Sequence, residues 1–174
     1  MTTADTLIAN LLYRYAELMD AGRLEECVDL FAHARVVLDA DAEPPVVVDR
    51  DGLLALWTSL IRIHADGTPR TRHLVGTPIL EVDEEAGTAA CRSTYTVFQQ
   101  VDGGPLQPVI SGRYLDRFER RDGTWAIAER TGVASWSLPI TADQWWDAPA
   151  DHVAGRRDRD DPLYALLGSL GADL

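Results

Sequence analysis

A carboxylate and an imidazole in this sequence could together move a proton. Asp20 follows an apolar helical stretch, and His73 lies in the strand-like segment Thr71-Arg72-His73-Leu74-Val75-Gly76. A carboxylate that accepts a hydrogen bond from imidazole Nδ1 selects one tautomer and raises the basicity of Nε2. Inside an apolar pocket, such a pair can remove a proton from a carbon next to a leaving group. We therefore predict that His73 is a general base and that Asp20 orients it.

Other polar and aromatic residues could line the same pocket. Arg130 and Tyr114 lie on predicted strands, and an arginine or a phenol can stabilise negative charge that develops on a substrate. Tyr15 lies on the first helical stretch, Asp39 at the end of a predicted strand, and Trp57 on a later helical stretch. We predict that these five residues bind the substrate.

Each of these residues also has a simpler structural explanation. Asp20 could cap a second helix, and a lone histidine on a strand is more often structural than catalytic. The tyrosines could be core residues. Arg130 alternates with small residues, so its face is either closely packed or open to a ligand. If Arg130 points inward, it needs an anion or a carboxylate partner.

The motifs of several large enzyme classes are absent from the sequence. Dinucleotide-binding, phosphate-loop, zinc-protease and serine-hydrolase patterns do not occur, and the four histidines lack metal-ligand spacing. Cys27 and Cys91 lie far apart, which favours two buried, reduced thiols over a disulfide. We therefore expect neither a cofactor nor a metal.

The net charge narrows the range of partners. The 174 residues include 16 basic and 28 acidic side chains, which gives a formal net charge of −12. Such a surface repels phosphate backbones and anionic lipids, so neither nucleic acid nor a membrane is an expected partner. Small neutral or apolar molecules and other protein chains remain. The sequence shows no signal peptide and no membrane-spanning stretch, so we expect a cytoplasmic protein.

Apolar residues at helical spacing predict three N-terminal helices. The first covers about residues 5–19 and the second about 24–31. The third begins at Asp49-Arg50-Asp51-Gly52, where short carboxylates can cap free N–H groups, and ends near residue 66. A short strand is expected at residues 35–38, followed by a loop around Pro44 and Pro45.

From Arg70 onward the apolar period changes to two, which predicts a sheet. Strands are expected at about 70–77, 78–83, 88–101, 106–121 and 124–137, separated by turn formers. The last three are unusually long, and long antiparallel strands must twist. We therefore predict an α+β fold in which three helices cover a cone-shaped, curved antiparallel sheet that encloses a pocket.

The whole chain, residues 1–174, is predicted to form one domain with its core at about 5–137. The tail at 138–174 contains Trp145 and Trp146, whose rings favour burial, and a charged run. We expect this tail to pack on the pocket mouth or on a partner chain.

Four segments resemble the nuclear transport factor two-like superfamily, and within it the SnoaL-like branch that includes scytalone dehydratase. They are residues 12–22, 30–32, 71–76 and 112–125. The resemblance implies that Asp20 and His73 match the catalytic pair of scytalone dehydratase and of the similar hexachlorocyclohexane dehydrochlorinase. It also aligns Arg130 with a pocket arginine of the dehydrochlorinase, and Tyr15 and Asp39 with the tyrosine and general base of ketosteroid isomerase.

The sequence departs from those enzymes at several positions. The second catalytic histidine of scytalone dehydratase corresponds to Phe98 or Gln99, its substrate-orienting tyrosine to Met19, and its pocket asparagine to Tyr114. The second oxyanion donor of ketosteroid isomerase corresponds to Ser111. The chain is therefore expected not to be scytalone dehydratase itself, and the isomerase interpretation is the weaker one.

The preferred prediction is a cofactor-independent lyase of dehydratase type that acts on a small cyclic or polyketide-like substrate. One alternative is an isomerase or cyclase in the same pocket, with Tyr15, Asp39 or Asp20 as acid and base. Another is a module that binds a small ligand or another protein chain without chemistry. Members of the superfamily associate through the open sheet face, so the resemblance also implies a homodimer or homotrimer.

Overall fold

A computed structural model describes residues 2–39, 42–76, 78–100 and 103–137. The side chains of Asp39, Trp136 and Ser137 are not among those described. The expectations for the tail, including Trp145 and Trp146, lie outside the described residues. No helix in the described part of the chain is both long and apolar enough to cross a membrane.

Among the residues described, three helices form near the predicted positions: α1 (Ala4–Asp20), α2 (Leu24–Asp29) and α3 (Arg50–Leu60). The apolar stripe of α1 is buried against the rest of the fold, as helical spacing predicts. Its buried residues include Ile8, Leu12, Tyr15, Ala16 and Met19. Asp49 caps α3, because its Oδ1 accepts a hydrogen bond of 2.9 Å from the backbone N–H of Gly52.

The predicted end of α3 is wrong. The helix stops at Leu60, six residues before the expected position, because Ile61 adopts an extended backbone conformation. The following segment instead forms a compact loop in which Asp66 accepts hydrogen bonds from Thr68 and Arg70.

In the described part of the chain, seven strands form one sheet that curls without closing, and the α+β fold class is confirmed. They are β1 (Arg35–Asp39), β2 (Val46–Val48), β3 (Thr71–Val75), β4 (Ile79–Asp83), β5 (Thr88–Gln100), β6 (Leu106–Arg121) and β7 (Thr124–Ser137). The order is β2-β1-β7-β6-β5-β3. Strand β4 pairs with residues 88–92 of β5, whereas β3 pairs with residues 95–99 of the same strand. Helix α1 contacts β3, β4 and β7, so it lies against the inner face of the sheet.

Two features of the sheet differ from the prediction. The short strand β2 lies inside the segment expected to be a loop, where it pairs with β1. The sheet is also not entirely antiparallel, because β1 runs parallel to β7. A parallel pair needs a long crossover, and the chain between β1 and β7 includes α3 and the other strands.

A bulge in β7 decides which of its residues face the helices. Phe118 pairs with Ile127 and Arg117 pairs with Glu129, so Ala128 has no partner across the strands. The inward side-chain positions beyond the bulge are therefore shifted by one residue, and Arg130 rather than Glu129 faces inward. The expected alternation of Arg130 with Ala126 fails for this reason, since Ala126 lies on the outer face.

The turn after α1 depends on the small size of Gly22. Gly22 has a φ of +73°, and a Cβ there would lie 2.4 Å from the carbonyl oxygen of Gly67. Gly67 also has a positive φ, of +80°, but a Cβ there would meet no atom within 4 Å. A side chain at Gly67 would therefore suffer backbone strain alone, whereas a side chain at Gly22 would suffer both strain and a steric clash.

We predict that Gly22→Ala destabilises the fold much more than Gly67→Ala. Strain alone costs about 1–2 kcal/mol for a non-glycine residue in the left-handed region. Gly22→Ala adds a clash that displaces the loop at residues 64–68, so we expect at least about 2 kcal/mol more. Urea denaturation of both variants measures the difference, and equal losses of unfolding free energy would contradict this account of Gly22.

Candidate functional site

The carboxylate of Asp20 accepts hydrogen bonds from two residues of β3. The hydrogen-bond distances are 2.9 Å from Thr71 Oγ1, 2.8 Å from the backbone N–H of His73 and 2.7 Å from His73 Nδ1. Asp20 is the last residue of α1 and is 5% exposed. A carboxylate is unfavourable at a helix C-terminus, and the three donors offset that cost.

This arrangement determines which ring nitrogen of His73 carries the proton. Ionised Asp20 only accepts hydrogen bonds, so Nδ1 must donate. In the neutral ring, Nε2 then has a free lone pair, and no described residue hydrogen-bonds to it. Asp20 does not cap α2, because its N-cap residue is Arg23, which makes no side-chain capping bond.

Two tyrosine hydroxyls meet beside this pair. Tyr15 Oη and Tyr114 Oη are 3.4 Å apart, and the ring of Tyr15 lies 5.9 Å from the ring of His73. Burial raises the pKa of Tyr114 to about 12 and raises the pKa of Tyr15 well above its ordinary value. Both groups therefore stay neutral phenols. When one hydroxyl donates to the other, the proton of the acceptor remains available for a ligand.

A glycine in β6 helps to position Tyr114. Tyr95 of β5 pairs directly with Gly112, and its ring stacks on that of Tyr114 at 4.2 Å with an interplanar angle of 15°. A Cβ at position 112 would lie 2.7 Å from the Tyr95 hydroxyl. Gly112 thus leaves room for the ring that supports Tyr114.

Arg130 is buried and forms a two-pronged ion pair with Asp116 on the neighbouring strand. Its Nε and Nη2 donate to the two Asp116 oxygens at 2.7 Å and 2.9 Å, and the residues are 4% and 2% exposed. Burial lowers the pKa of Arg130, but the Asp116 carboxylate outweighs this effect and raises it above the ordinary value. The predicted requirement for a carboxylate partner is therefore met by Asp116.

Aromatic rings surround the guanidinium of Arg130. Its Cζ lies 4.5 Å from the ring centre of Tyr15, 4.3 Å from that of Tyr114 and 5.2 Å from that of Phe31. These ring faces stabilise a cation. Nη1 is buried and has no hydrogen-bond partner in the described part of the chain. Its two N–H groups are therefore unsatisfied donors, as is the buried hydroxyl of Ser93, which pairs with Tyr114 across the strands.

The sequence alone does not predict Asp116 as a site residue, although the apolar alternation of β6 indicates that it faces inward. The buried residues of β6 alternate, with Tyr114, Asp116 and Phe118 on one face and exposed residues between them. A carboxylate on an otherwise aromatic face requires a cation opposite. The cation could not be identified without the bulge in β7, since a regular hairpin would place Glu129 there.

Two further predicted site residues are Trp57 and Asp39. Trp57 of α3 is half-buried at the edge of the aromatic cluster, with ring centres 6.1 Å from Tyr15 and 6.0 Å from Phe31. Asp39 ends β1, and its side chain is not described. Phe98 pairs with Arg72, on the opposite face of the sheet from His73, and so does not fill the space beside the histidine.

The two cysteines are not candidates for chemistry at this site. Cys27 and Cys91 are buried and free, and burial raises the pKa of their thiols to about 12 and about 11. They are therefore unreactive thiols. In the described residues no group of histidine, cysteine and acidic side chains could hold a metal ion.

A separate groove of about 320 Å³ lies on the outer face of the sheet. Four of its lining residues, Ile79, Arg92, Leu115 and Thr131, form one row across four strands on the face away from the helices. Its lining also includes the buried residues Cys91 and Asp116. The groove does not contain Asp20 or His73, which lie on the inner face. We therefore place the candidate site inside the sheet.

Comparison with known proteins places the chain in one family. The sequence profile of the SnoaL-like domain matches residues 2–131. None of the curated proteins matches the chain.

Several solved structures share the fold. The β subunit of a proposed aromatic-ring-hydroxylating dioxygenase from Novosphingobium aromaticivorans is 26% identical, with a TM-score of 0.62 over 80% of this chain and 94% of that one. A proposed scytalone dehydratase from the same organism is 17% identical, with a TM-score of 0.58 over 85% and 93%. The protein Aln2 from a Streptomyces species is 14% identical, with a TM-score of 0.60 over 77% and 93%.

We predict that Asp116→Ala costs about 3–5 kcal/mol of unfolding free energy, because it leaves the Arg130 charge buried without its partner. The double variant Asp116→Leu/Arg130→Met should lose less unfolding free energy than this single variant, because it leaves no unpaired charge. Glu129→Ala is the control, since Glu129 lies on the same strand as Arg130 and pairs with the exposed side chains of Arg35 and Arg117. This control substitution should cost about 1 kcal/mol or less. Urea denaturation measures all three, and a double variant that is less stable than Asp116→Ala would refute the prediction.

A second prediction concerns alkaline pH. Because the pKa of Tyr114 is about 12 in the folded protein against an ordinary value of 10.0, its proton stabilises the fold fully below pH 10. That contribution is lost as the pH rises through 12, at up to about 1.4 kcal/mol per pH unit. Tyr114→Phe should therefore flatten the decline of stability between pH 10 and 12. Tyr13→Phe, at an exposed hydroxyl, serves as the control, and identical slopes for both variants would count against the prediction.

Proposed function

This chain belongs to the SnoaL-like family, and we propose that it is a cofactor-independent lyase of dehydratase type. The family and its structural neighbours support a domain that binds a small molecule or catalyses an isomerase- or dehydratase-type reaction. The observation that favours proton transfer is the 2.7 Å contact between Asp20 Oδ1 and His73 Nδ1. It leaves Nε2 free to accept a proton, on a ring whose centre lies 5.9 Å from that of Tyr15.

The proposed reaction removes water from a β-hydroxy carbonyl compound. Nε2 of His73 takes the proton from the carbon next to the carbonyl, and Asp20 stabilises the imidazolium that forms. The electron pair of the broken C–H bond moves to the carbonyl oxygen. It returns to form the carbon–carbon double bond as the β-hydroxyl leaves. The imidazolium gives its proton to that hydroxyl, so one water is released and His73 is neutral again.

Three donors could stabilise the negative carbonyl oxygen in this reaction. They are the hydroxyls of Tyr15 and Tyr114 and the unsatisfied Nη1 of Arg130. Because the rings of Tyr15 and His73 are 5.9 Å apart, one small cyclic substrate could contact the base and the donors together. A single base that both takes and returns the proton implies that the proton and the hydroxyl leave from the same face of the substrate. Trp57 at the edge of the cluster would contact the substrate ring, and Asp39 stays a predicted substrate contact.

An isomerase or cyclase would use the same first step. The enolate would then be reprotonated at another carbon or would attack an internal electrophile, with Tyr15, Asp39 or Asp20 as acid and base. Mass spectrometry of the product separates the cases, because a lyase releases water whereas an isomerase or cyclase conserves the substrate mass.

A role as a non-catalytic subunit is the second candidate function. It is favoured by the likeness to the β subunit of a proposed ring-hydroxylating dioxygenase, which covers 94% of that chain. Such a role would not require a basic Nε2 at His73. A non-catalytic subunit is therefore distinguished from the proposed lyase by whether His73→Ala abolishes a reaction.

We propose that the protein forms a homodimer or homotrimer through the outer face of its sheet. Leu74, Ile79, Leu115 and Val133 are each about half exposed. Their strand pairing places all four on this face, around the outer groove. Large apolar side chains left in water on a sheet face favour association.

We predict that His73→Ala and Asp20→Asn each lower turnover by at least about 100-fold, the usual contribution of a general base, without unfolding the protein. His33→Ala is the control, since His33 is exposed. A panel of cyclic β-hydroxy ketones, followed by mass spectrometry, identifies a substrate, and circular dichroism checks the fold. Full activity of either site variant would refute the proposed mechanism.

We also predict that Leu115→Arg dissociates the oligomer, because it replaces an exposed apolar side chain of the outer face with a charge beside Arg92. Leu60→Arg is the control, since Leu60 is an exposed leucine at the end of α3 rather than on the sheet. Light scattering after size-exclusion chromatography gives the mass of each variant. A monomeric wild-type protein, or an oligomer that survives Leu115→Arg, would contradict the proposed interface.

A further inference from the structure

Thr71 contacts the carboxylate of Asp20 but is not among the predicted site residues. It is the first residue of β3 and is 8% exposed. Residues two apart on a strand lie on the same face of the sheet, so Thr71 shares its face with His73. Both side chains donate to the carboxylate at the end of α1. One strand therefore supplies the proposed base and a hydroxyl that binds the partner of that base.

The hydroxyl of Thr71 and the ring of His73 share one oxygen of Asp20. Thr71 Oγ1 lies 2.9 Å from Oδ1, and His73 Nδ1 lies 2.7 Å from the same atom. The backbone N–H of His73 lies 2.8 Å from the other oxygen, Oδ2. Because an ionised carboxylate only accepts hydrogen bonds, the hydroxyl proton of Thr71 must point at Oδ1. Strand β3 thus binds both oxygens of Asp20.

These contacts decide the rotation of the Asp20 carboxylate. The torsion of an aspartate about Cβ–Cγ has broad minima, and a rotation would carry Oδ1 away from Nδ1 of His73. Of the two side chains of β3 that donate to Oδ1, the His73 ring can itself turn. Thr71 is β-branched, so its χ1 is stiff and the backbone of β3 fixes the position of its hydroxyl. Thr71 is therefore the more rigid of the two contacts at this oxygen.

We propose that Thr71 is a positioning residue of the candidate site, which holds Oδ1 of Asp20 where that oxygen can orient the His73 ring. Thr71 acts through Asp20 and does not touch the substrate. The inference rests on the proposed function for the role of His73 as the base. It adds to that function a residue on which the orientation of the base depends.

A purely structural role for Thr71 would have a different consequence. Asp20 is 5% exposed at a helix C-terminus, so any donor stabilises the fold by offsetting the burial of its charge. A loss of stability in a Thr71 variant therefore does not distinguish the two roles. The hydrogen bond at His73 Nδ1 does, because a merely structural donor need not keep Oδ1 aligned with that nitrogen.

The test measures how fast the Nδ1 proton of His73 exchanges with water, by NMR of the ¹⁵N-labelled protein at one pH for all variants. Thr71→Val keeps the branched shape of the side chain and removes the hydroxyl. It should speed this exchange at least about tenfold, which corresponds to the loss of one hydrogen bond to a charged group. Thr71→Ser restores a hydroxyl and should restore most of the protection.

Thr68→Val is the matched control. Thr68 is 7% exposed, and its hydroxyl also donates to a carboxylate, that of Asp66, at 3.1 Å. The control substitution should destabilise the protein but leave the exchange rate at His73 unchanged. On a substrate found in the panel above, Thr71→Val should lower kcat by about tenfold with little change in KM, because it misplaces the base without removing a substrate contact.

An unchanged exchange rate in folded Thr71→Val, or an equal change in Thr68→Val, would overturn the inference. A wild-type Nδ1 proton that exchanges as fast as that of free histidine would overturn it as well. If Thr71→Val does not fold, Thr71→Ala, which leaves room for water beside the carboxylate, is measured in its place and decides the question.

The exchange rate requires no substrate, so the two proposals fail separately. An inactive protein whose exchange rates follow the expected pattern refutes only the proposed function. An active lyase whose Thr71→Val variant keeps the wild-type exchange rate and kcat refutes only this inference.

Discussion

The burial of the Arg130 guanidinium is the constraint on which the interior of this protein depends. A buried charge without a partner would cost more than a domain of this size can spare. Asp116 must therefore lie directly opposite on β6, and the bulge at Ala128 provides that alignment. The rings of Tyr15 and Tyr114 then pack over the cation, which brings their hydroxyls together. One ion pair thus organises the donor side of the candidate site.

The other side of the site depends on the end of α1. Asp20 is held by two residues of β3, and the same carboxylate orients the ring of His73. Tyr15, which is five residues earlier on α1, packs between His73 and Arg130. Stability and proposed chemistry therefore use the same contacts. A substitution that loosens α1 would disturb the base and the donors together.

The amino-acid sequence predicts the parts of this structure that follow local periodicity. The bounds of α1 and of β5 to β7 lie within a residue or two of those expected, because apolar spacing there is regular. The parallel pairing of β1 with β7 and the bulge at Ala128 depend on long-range register, which periodicity does not encode. For that reason Arg130 was identified but Asp116 was not. Residue type and resemblance point to Asp20 and His73, whose contact exists only in the folded chain.

The tautomer of His73 tests the central claim most directly, and it requires no substrate. Long-range ¹H–¹⁵N correlation spectra of the ¹⁵N-labelled protein distinguish a protonated from an unprotonated ring nitrogen. If Asp20 orients a general base, neutral His73 carries its proton on Nδ1, and Nε2 shows the shift of a free lone pair. A neutral ring protonated at Nε2 would contradict the account, because the nitrogen that faces the site could not then accept a proton.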